Sequence, residues 1–367
     1  MQSASLNEML ADFCDLYNAA LQQRIEAWSR QRKHLSSVTQ TYEIKSLRVT
    51  DPDIARWSCS ALHQVLHRLE QAYFSFFRNR KGFPRFRSAE RYRSADFRVG
   101  NGLTIKQDGR VGIIGIPGSI KVRWHRDLPH RPKSAIIVRQ AGKWYVIFHV
   151  EEPPAGVRDD FTPVGLDLGL NAIAAFSDGR TVERPGFTKA AAKKQRRLQR
   201  ALARKRRLSS GWRRTKMDLA RHSAAVTRRR RDFAHKLARQ IVTSHSHVAV
   251  EKLNIKGLAG GVLAKHVNDA AWGMLLGLMR EKAESAACVI KAVDPRGTSQ
   301  ECPECGVVKA KALSERTHRC GCGCVLDRDV AAAKIILRRA GFQGPGAGLV
   351  ALSQPVEAGL AAEAASL

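Results

Sequence analysis

The sequence predicts an α+β protein of several domains: helices first, then a β-rich segment, then an α/β region with a cysteine-rich knuckle set into it. Three observations predict this. Apolar residues recur at helical spacing over residues 5–32 and 54–79. Short β-branched and aromatic runs separated by glycine turns follow from 96 to 151. Five of the eight cysteines fall within 302–324, between a strand-like and a helix-like segment. A chain of 367 residues has the length of two or three domains with ample buried core.

The first helix carries Leu6, Met9, Leu10, Phe13, Leu16, Tyr17, Leu21, Ile25 and Trp28 on one stripe. The second carries Trp57, Leu62, Val65, Leu66, Leu69, Tyr73, Phe76 and Phe77, and stops at Gly82 and Pro84. Beyond it, Phe83, Phe86 and Tyr92 interleave with Arg85, Arg87, Arg91 and Arg93. With Tyr73, Phe77 and Arg78 this stretch suits base stacking plus phosphate contact; it equally fits an Arg-rich loop with its aromatics tucked inward. Strands are expected at Ile113–Ile116, Ile120–Trp124, Ala135–Arg139 and Trp144–Val150, with Ala141-Gly142 turning a hairpin. After a linker at Glu151–Pro154, Val164–Leu168 and Asn171–Ser177 form a second hairpin, with a short strand near Val182. Ile241–Thr243 and Val248–Val250 are apolar runs leading to Glu251. A helix is expected over Asn268–Ala287, a strand over Val289–Val293 and a helix over Val330–Ala340. Residues 341–367 contain no Lys or Arg and read as a tail without a fixed fold.

Charge sets the partner class. Lys+Arg 63 against Asp+Glu 33 gives a net charge of +30. Such an excess points to a polyanion, with nucleic acid ahead of an anionic membrane surface. At 44% hydrophobic residues the chain is no disordered basic tail. The absence of a long apolar run or a secretory leader predicts a cytoplasmic protein, bound to DNA at work, with no membrane partner and no small-molecule substrate. Between Lys189 and Arg231 there are 18 Lys/Arg and one acid, Asp218. Flanks rich in Ala, Leu and Gln on either side of Ser209-Ser210-Gly211 make this a basic helical hairpin, with Arg204, Lys205, Arg206 and Arg207 at its turn as candidate phosphate contacts. A merely solvated surface helix is the alternative.

Cys302, Cys305, Cys320 and Cys322 make two close pairs, the spacing of a structural S₄ zinc site with no open coordination position. The second pair has a single residue between its cysteines, and Cys324 stands by as a substitute ligand. Three acids occupy positions a basic protein would not fill casually. Asp167 and Glu251 end apolar strands, and Asp329 opens a helix beyond the knuckle. Desolvating such carboxylates is costly unless they are neutralised, and Mg²⁺ does this well. Converging, the three suit two divalent ions about 4 Å apart for phosphodiester hydrolysis. Singly, each also fits a capping or ion-paired acid.

Val-Gly-Leu-Asp167-Leu-Gly-Leu-Asn, Val-Glu251-Lys-Leu-Asn-Ile-Lys-Gly-Leu and Asp-Arg-Asp329-Val-Ala-Ala-Ala resemble the three RuvC motifs of TnpB proteins, RNA-guided nucleases of insertion sequences related to compact type V CRISPR effectors. The run Asp294-Pro-Arg-Gly-Thr-Ser-Gln-Glu-Cys302-Pro-Glu-Cys305-Gly306 is similar to the approach to that family's zinc ribbon. Leu69-Glu-Gln-Ala-Tyr73-Phe-Ser-Phe-Phe77 with Gly82-Phe-Pro-Arg-Phe-Arg87 is similar to its recognition-lobe signature. The resemblance spans about 15–340 and implies a helical recognition domain (1–95), a β-barrel wedge domain (96–157), and an RNase H-like RuvC domain (158–300 and 326–340) interrupted by a zinc ribbon (301–325). It implies a guide RNA from the transposon end, double-stranded target DNA beside a short flanking motif, and cleavage through Asp167, Glu251 and Asp329 with Mg²⁺; Asp327 is the lesser candidate. Three departures stand out. Ala331 and Ile335 replace the family's asparagines, which makes slow cleavage an expectation. The N-terminal strand is missing, so the barrel is expected to be incomplete or the start truncated, and the Cys320–Cys322 spacing is tight. Two other functions remain open: guide-dependent DNA binding that represses without cutting, and a DNA transposase acting without RNA.

Overall fold

The computed structural model describes residues 2–153, 156, 158–258, 260, 270–312 and 314–342. Of the expected tail 341–367, Gly341 caps the preceding helix and Phe342 packs against Ala249, Val293, Ile336 and Ala340, so both are ordered; residues 343–367, and residues 268 and 269 of the expected helix, lie outside the described residues. The chain divides into two compact units, Met1–Pro153 with Ala192–Thr227, and Pro154–Ala191 with Arg228–Leu367.

In the first unit, α1 (Gln2–Gln31), α2 (Ser37–Thr50), α3 (Pro52–Ala55) and α4 (Cys59–Asn79) precede five strands. The helix expected over 54–79 is interrupted at Trp57-Ser58, because Ser58 caps α4 by accepting from the Ala61 N–H, while Asp51 and Pro52 start the separate short turn. The strands β1 (Ser94–Val99), β2 (Gly102–Ile105), β3 (Val111–Ile113), β4 (Ser134–Gln140) and β5 (Lys143–His149) form one sheet in the order β3-β2-β1-β4-β5. β4 and β5 pair across the Ala141-Gly142 turn as expected. Of the anticipated strand Ile120–Trp124 only Ile120 pairs, in an isolated bridge to Val111. The α1 stripe (Leu6, Met9, Leu10, Phe13) packs with Trp57, with Leu62, Val65, Leu66 and Leu69 of α4, and with Phe97 and Leu103 of the sheet in one core. Trp57 donates its indole N–H to Asp12 at 2.8 Å, satisfying a polar group that would otherwise be buried unpaired.

The basic segment is a helical hairpin, α5 (Phe187–Ala203) and α6 (Ser210–Ser244), and the unit boundaries fall within these two helices. Ile241–Thr243 belongs to the end of α6, where Ile241 and Val242 are buried.

The second unit contains β6 (Pro163–Asp167), β7 (Ala172–Phe176), β8 (Thr181–Glu183), β9 (His247–Glu251) and β10 (Val289–Val293) in the order β10-β9-β6-β7-β8. β6, β7 and β8 are antiparallel neighbours, whereas β9 runs parallel to both β6 and β10. After the short α7 (Ile255–Leu258) come α8 (Trp272–Ser285), the two-stranded β11 (Thr317–Arg319) and β12 (Val325–Asp327), and α9 (Arg328–Ala340). Alternation along the pleat sorts the two sheet faces. Val164, Leu166, Val248 and Val250 join the core made by the end of α6 and by α8. Ala249 and Val293 instead pack with Ile336 and Ala340 of α9. Gly165 lets α9 lie directly on β6, since a Cβ there would fall 2.0 Å from the Ala333 carbonyl oxygen. Among the described residues no helix is long and apolar enough to cross a membrane.

Candidate functional site

The same alternation places the acids. Asp167 shares its sheet face with Gly165, and Glu251 with Ala249, so both carboxylates rise on the side covered by α9. The strands are parallel, and the register Leu166↔Val250 makes Asp167 and Glu251 the next residues of adjoining strand ends. Asp329 lies in the first turn of α9, where the helix N-terminus favours negative charge. Its carboxylate reaches within 3.6 Å of where a Gly169 Cβ would stand, just past the end of β6. Asp327 is the helix cap, accepting from the backbone N–H groups of Asp329 (2.9 Å) and Val330 (3.2 Å). That role separates the two neighbouring aspartates. Ala331 and Ile335 are buried apolar residues of the same helix.

The three acids share a field. Burial, then the charges of Glu251 and Asp329, push the Asp167 carboxyl up to about 8, against the pull of Arg328. Glu251 is raised by burial, opposed by a hydrogen bond from Thr298 and by Arg339. Asp329 is raised by burial and by Asp327, opposed by Arg316 and Arg328. Carboxyls so destabilised as anions ionise readily only beside a positive charge, and once ionised they form the all-oxygen donor set that a hard divalent cation takes. Among the described residues, the groups with three donors all within 4.8 Å of one another are those of the cysteine knuckle, so the carboxylates stand somewhat further apart.

In the knuckle, the sulfurs of Cys302, Cys305, Cys320 and Cys322 all lie within 4.8 Å of one another. The separations Cys302–Cys322 (3.7 Å) and Cys305–Cys320 (3.4 Å) approach the roughly 3.8 Å edge expected of a tetrahedron with 2.3 Å Zn–S bonds. Cys324 belongs to a different group, with Cys302 and the buried His318. Burial opposes ionisation of Cys302, but the backbone N–H groups of Cys305 and Glu304, with His318, hold its thiol down to about 5. The thiolate form is the one that ligates metal. These cysteines could hold a metal ion.

The candidate nucleic-acid contacts, all in the first unit, differ in availability. Phe77 is 67% exposed, and the Arg78 guanidinium sits over Phe74 at 5.5 Å. Tyr73 is half-buried, with the Arg24 guanidinium 5.1 Å over its ring. Arg85 and Arg87 are exposed. Arg87 is fixed through its backbone, whose N–H and C=O both bond the Asn18 amide at 2.8 Å. At the hairpin turn Arg204, Arg206 and Arg207 are exposed, whereas Lys205 donates to Gly211 O and Thr215 Oγ1. Sequence reasoning missed Thr298, whose hydroxyl donates to Glu251 Oε1 at 2.5 Å. The motif containing it was visible; its partner, 47 positions away, was not.

Fold and site together define a mixed α/β protein with a strand-end carboxylate cluster and a cysteine knuckle. Residues 148–261 match the family OrfB_IS605, described as a probable transposase, and residues 272–336 match the Cas12f1-like TNB domain. A "Putative RNA-guided DNA endonuclease" of Streptomyces pristinaespiralis is 28% identical over 344 residues, covering 92% of this chain and 85% of that protein. The "Putative RNA-guided DNA endonuclease InsQ" of Escherichia coli (strain K12) is 30% identical over 277 residues, covering 71% and 68%. A cryo-EM structure of a CRISPR-Cas12f ternary complex aligns with a TM-score of 0.40 at 12% identity, over 91% of this chain and 81% of that one. The chain belongs to the family of these relatives, the TnpB proteins of insertion sequences.

Proposed function

We propose that this protein is a transposon-associated RNA-guided DNA endonuclease, with a guide RNA and target double-stranded DNA as its partners. The observation that carries the reading is the convergence of Asp167, Glu251 and Asp329 from two parallel strand ends and a helix start. The names of both curated relatives support it. On this reading residues 1–95 and 96–157 are the recognition and wedge domains, 158–300 with 326–340 is the RNase H-like RuvC domain, and 301–325 is a zinc ribbon. Cys302, Cys305, Cys320 and Cys322 hold zinc, and Asp167, Glu251 and Asp329 hold Mg²⁺. Divalent ions at the carboxylates would polarise the scissile phosphate and generate the attacking hydroxide at neutral pH. The chain itself supplies the charge and the alignment. Asp167 and Glu251 are fixed by strand register, Asp329 by the Asp327 cap, and Arg328 offsets part of the negative charge. Tyr73, Phe77, Arg78, Arg85 and Arg87, with Arg204, Lys205, Arg206 and Arg207, contact the nucleic acids, Phe77 and the free arginines foremost.

The test uses protein expressed with its native 3′ flanking DNA, then incubated with Mg²⁺ and a plasmid matching the guide. The wild type should cut the plasmid and Asp167→Ala should not; equal cutting by both removes Asp167 from the site. Guided binding without cutting is the second reading. The apolar Ala331 and Ile335 favour it, because they leave the helix beside the carboxylates without amide side chains. Wild-type protein that binds the matched plasmid and leaves it intact would establish that reading.

A further inference from the structure

Glu251 has one oxygen already committed. Thr298 Oγ1 lies 2.5 Å from Glu251 Oε1 and 3.0 Å from the Pro295 carbonyl oxygen, and the residue is only 3% exposed. A hydroxyl carries one proton, and an ionised carboxylate is the stronger of these two acceptors. The hydrogen bond therefore takes one lone pair of Oε1 and leaves Oε2 as the less engaged oxygen to meet a cation.

The loop that carries Thr298 is pinned on both sides of it. Upstream, Arg339 of α9 donates to the carbonyls of Asp294 (3.1 Å) and Arg296 (2.6 Å). Downstream, Lys311 of the knuckle donates to the Ser299 carbonyl at 3.1 Å. Lys309 N–H bonds Gln300 O at 3.1 Å, and Glu301 bridges Val308. Glu301 also takes ion pairs from Arg338 and Arg339, directly before the ligand candidate Cys302. The helix that presents Asp329 and the cysteine knuckle thus hold one loop, and that loop holds Glu251.

We infer that Thr298 is the positioning residue for Glu251: its hydroxyl fixes the carboxylate rotamer so that one oxygen is presented to a divalent ion. The inference rests on the reading of Glu251 as a metal-holding carboxylate. Hydrogen-bond partners of metal ligands commonly account for about ten- to hundredfold in metal affinity, and Thr→Val removes the hydroxyl while keeping the shape.

The test is direct Mn²⁺ titration of the full-length chain, stripped of nucleic acid by high salt, read by electron paramagnetic resonance. Thr298→Val should weaken Mn²⁺ binding by about ten- to hundredfold, and Thr298→Ser should restore it, with zinc content and circular dichroism unchanged in both. Wild-type affinity in Thr298→Val overturns the inference. So does equal weakening in Thr298→Ser, which keeps the hydroxyl and would trace the effect to side-chain packing instead. Glu251→Gln in the same titration separates the two levels. If it binds Mn²⁺ as wild type does, the site itself is misassigned; if it alone is weakened, only the role of Thr298 fails.

Discussion

Because the Asp167 carboxyl is pushed up to about 8 by burial and then by Glu251 and Asp329, metal binding should release protons. A group of that pKa is about nine-tenths protonated at pH 7 and about one-tenth at pH 9. It must ionise to ligate, so Mg²⁺ should displace about 0.9 proton at pH 7 and about 0.1 at pH 9. The protons belong to the cluster as a whole, and the raised carboxyls of Glu251 and Asp329 add to the release toward lower pH. Apparent affinity should rise with pH, by a factor that approaches tenfold per unit going down from pH 8 to 7, more steeply where Glu251 and Asp329 are also protonated, and should level above about 9. Calorimetric Mg²⁺ titrations in two buffers of different ionisation enthalpy at each pH give the proton count directly. Release near zero at pH 7, or an equal count at pH 7 and pH 9, would refute the reasoning. Stability follows the same group. Its folded pKa lies above the ordinary value of 3.8, so its contribution to the metal-free fold is complete below that value and is lost as pH rises through about 8. Mg²⁺ should therefore raise the unfolding temperature more at alkaline than at acid pH.

Three other outcomes are expected. Cys322→Ser should lose zinc by elemental analysis while Cys324→Ser retains one ion per chain, because Cys322 belongs to the four-sulfur group and Cys324 does not; the reverse pattern would move the site to the group of Cys302, His318 and Cys324. Gly165→Ala should destabilise the second unit by roughly 3 kcal/mol, measured by urea unfolding, because its methyl meets the Ala333 carbonyl rather than a side chain that can move. Replacing Arg204, Arg206 and Arg207 together with Gln should flatten the salt dependence of DNA binding by about 2–3 in log–log slope, and an unchanged slope would make the hairpin turn a bystander.

What the sequence discloses here is local chemistry, and what it hides is register. The apolar runs ending in Asp167 and Glu251 were legible because a charged residue after an apolar run is conspicuous, and the cysteine pairs because their spacing is itself the signal. Assigning both carboxylates to the α9 face needed the pairing Leu166↔Val250, which no local pattern contains. Gly165 looked like an ordinary glycine in a strand until α9 was seen lying on it. Tyr73 fits both an apolar helix stripe and a stacking ring by sequence, and only the fold brings Arg24 over it. The strands β1 and β2 escaped because Ser94–Val99 and Gly102–Ile105 are short and mix polar with apolar residues. The helix α2 escaped because it buries only Gln40 and Ile44, too few for a visible stripe.

A protein that acts under the direction of an RNA should carry that RNA with it, so the decisive observation is the nucleic acid that co-purifies. The protein would be expressed with its native 3′ flanking DNA and washed at high salt, and the retained nucleic acid sequenced after separate RNase and DNase treatments. One discrete RNA species mapping to that flank is expected. A heterogeneous mixture, or no retained RNA, would contradict it; the net charge of +30 would then mark only a general polyanion surface, and a transposase acting without RNA would become the better description.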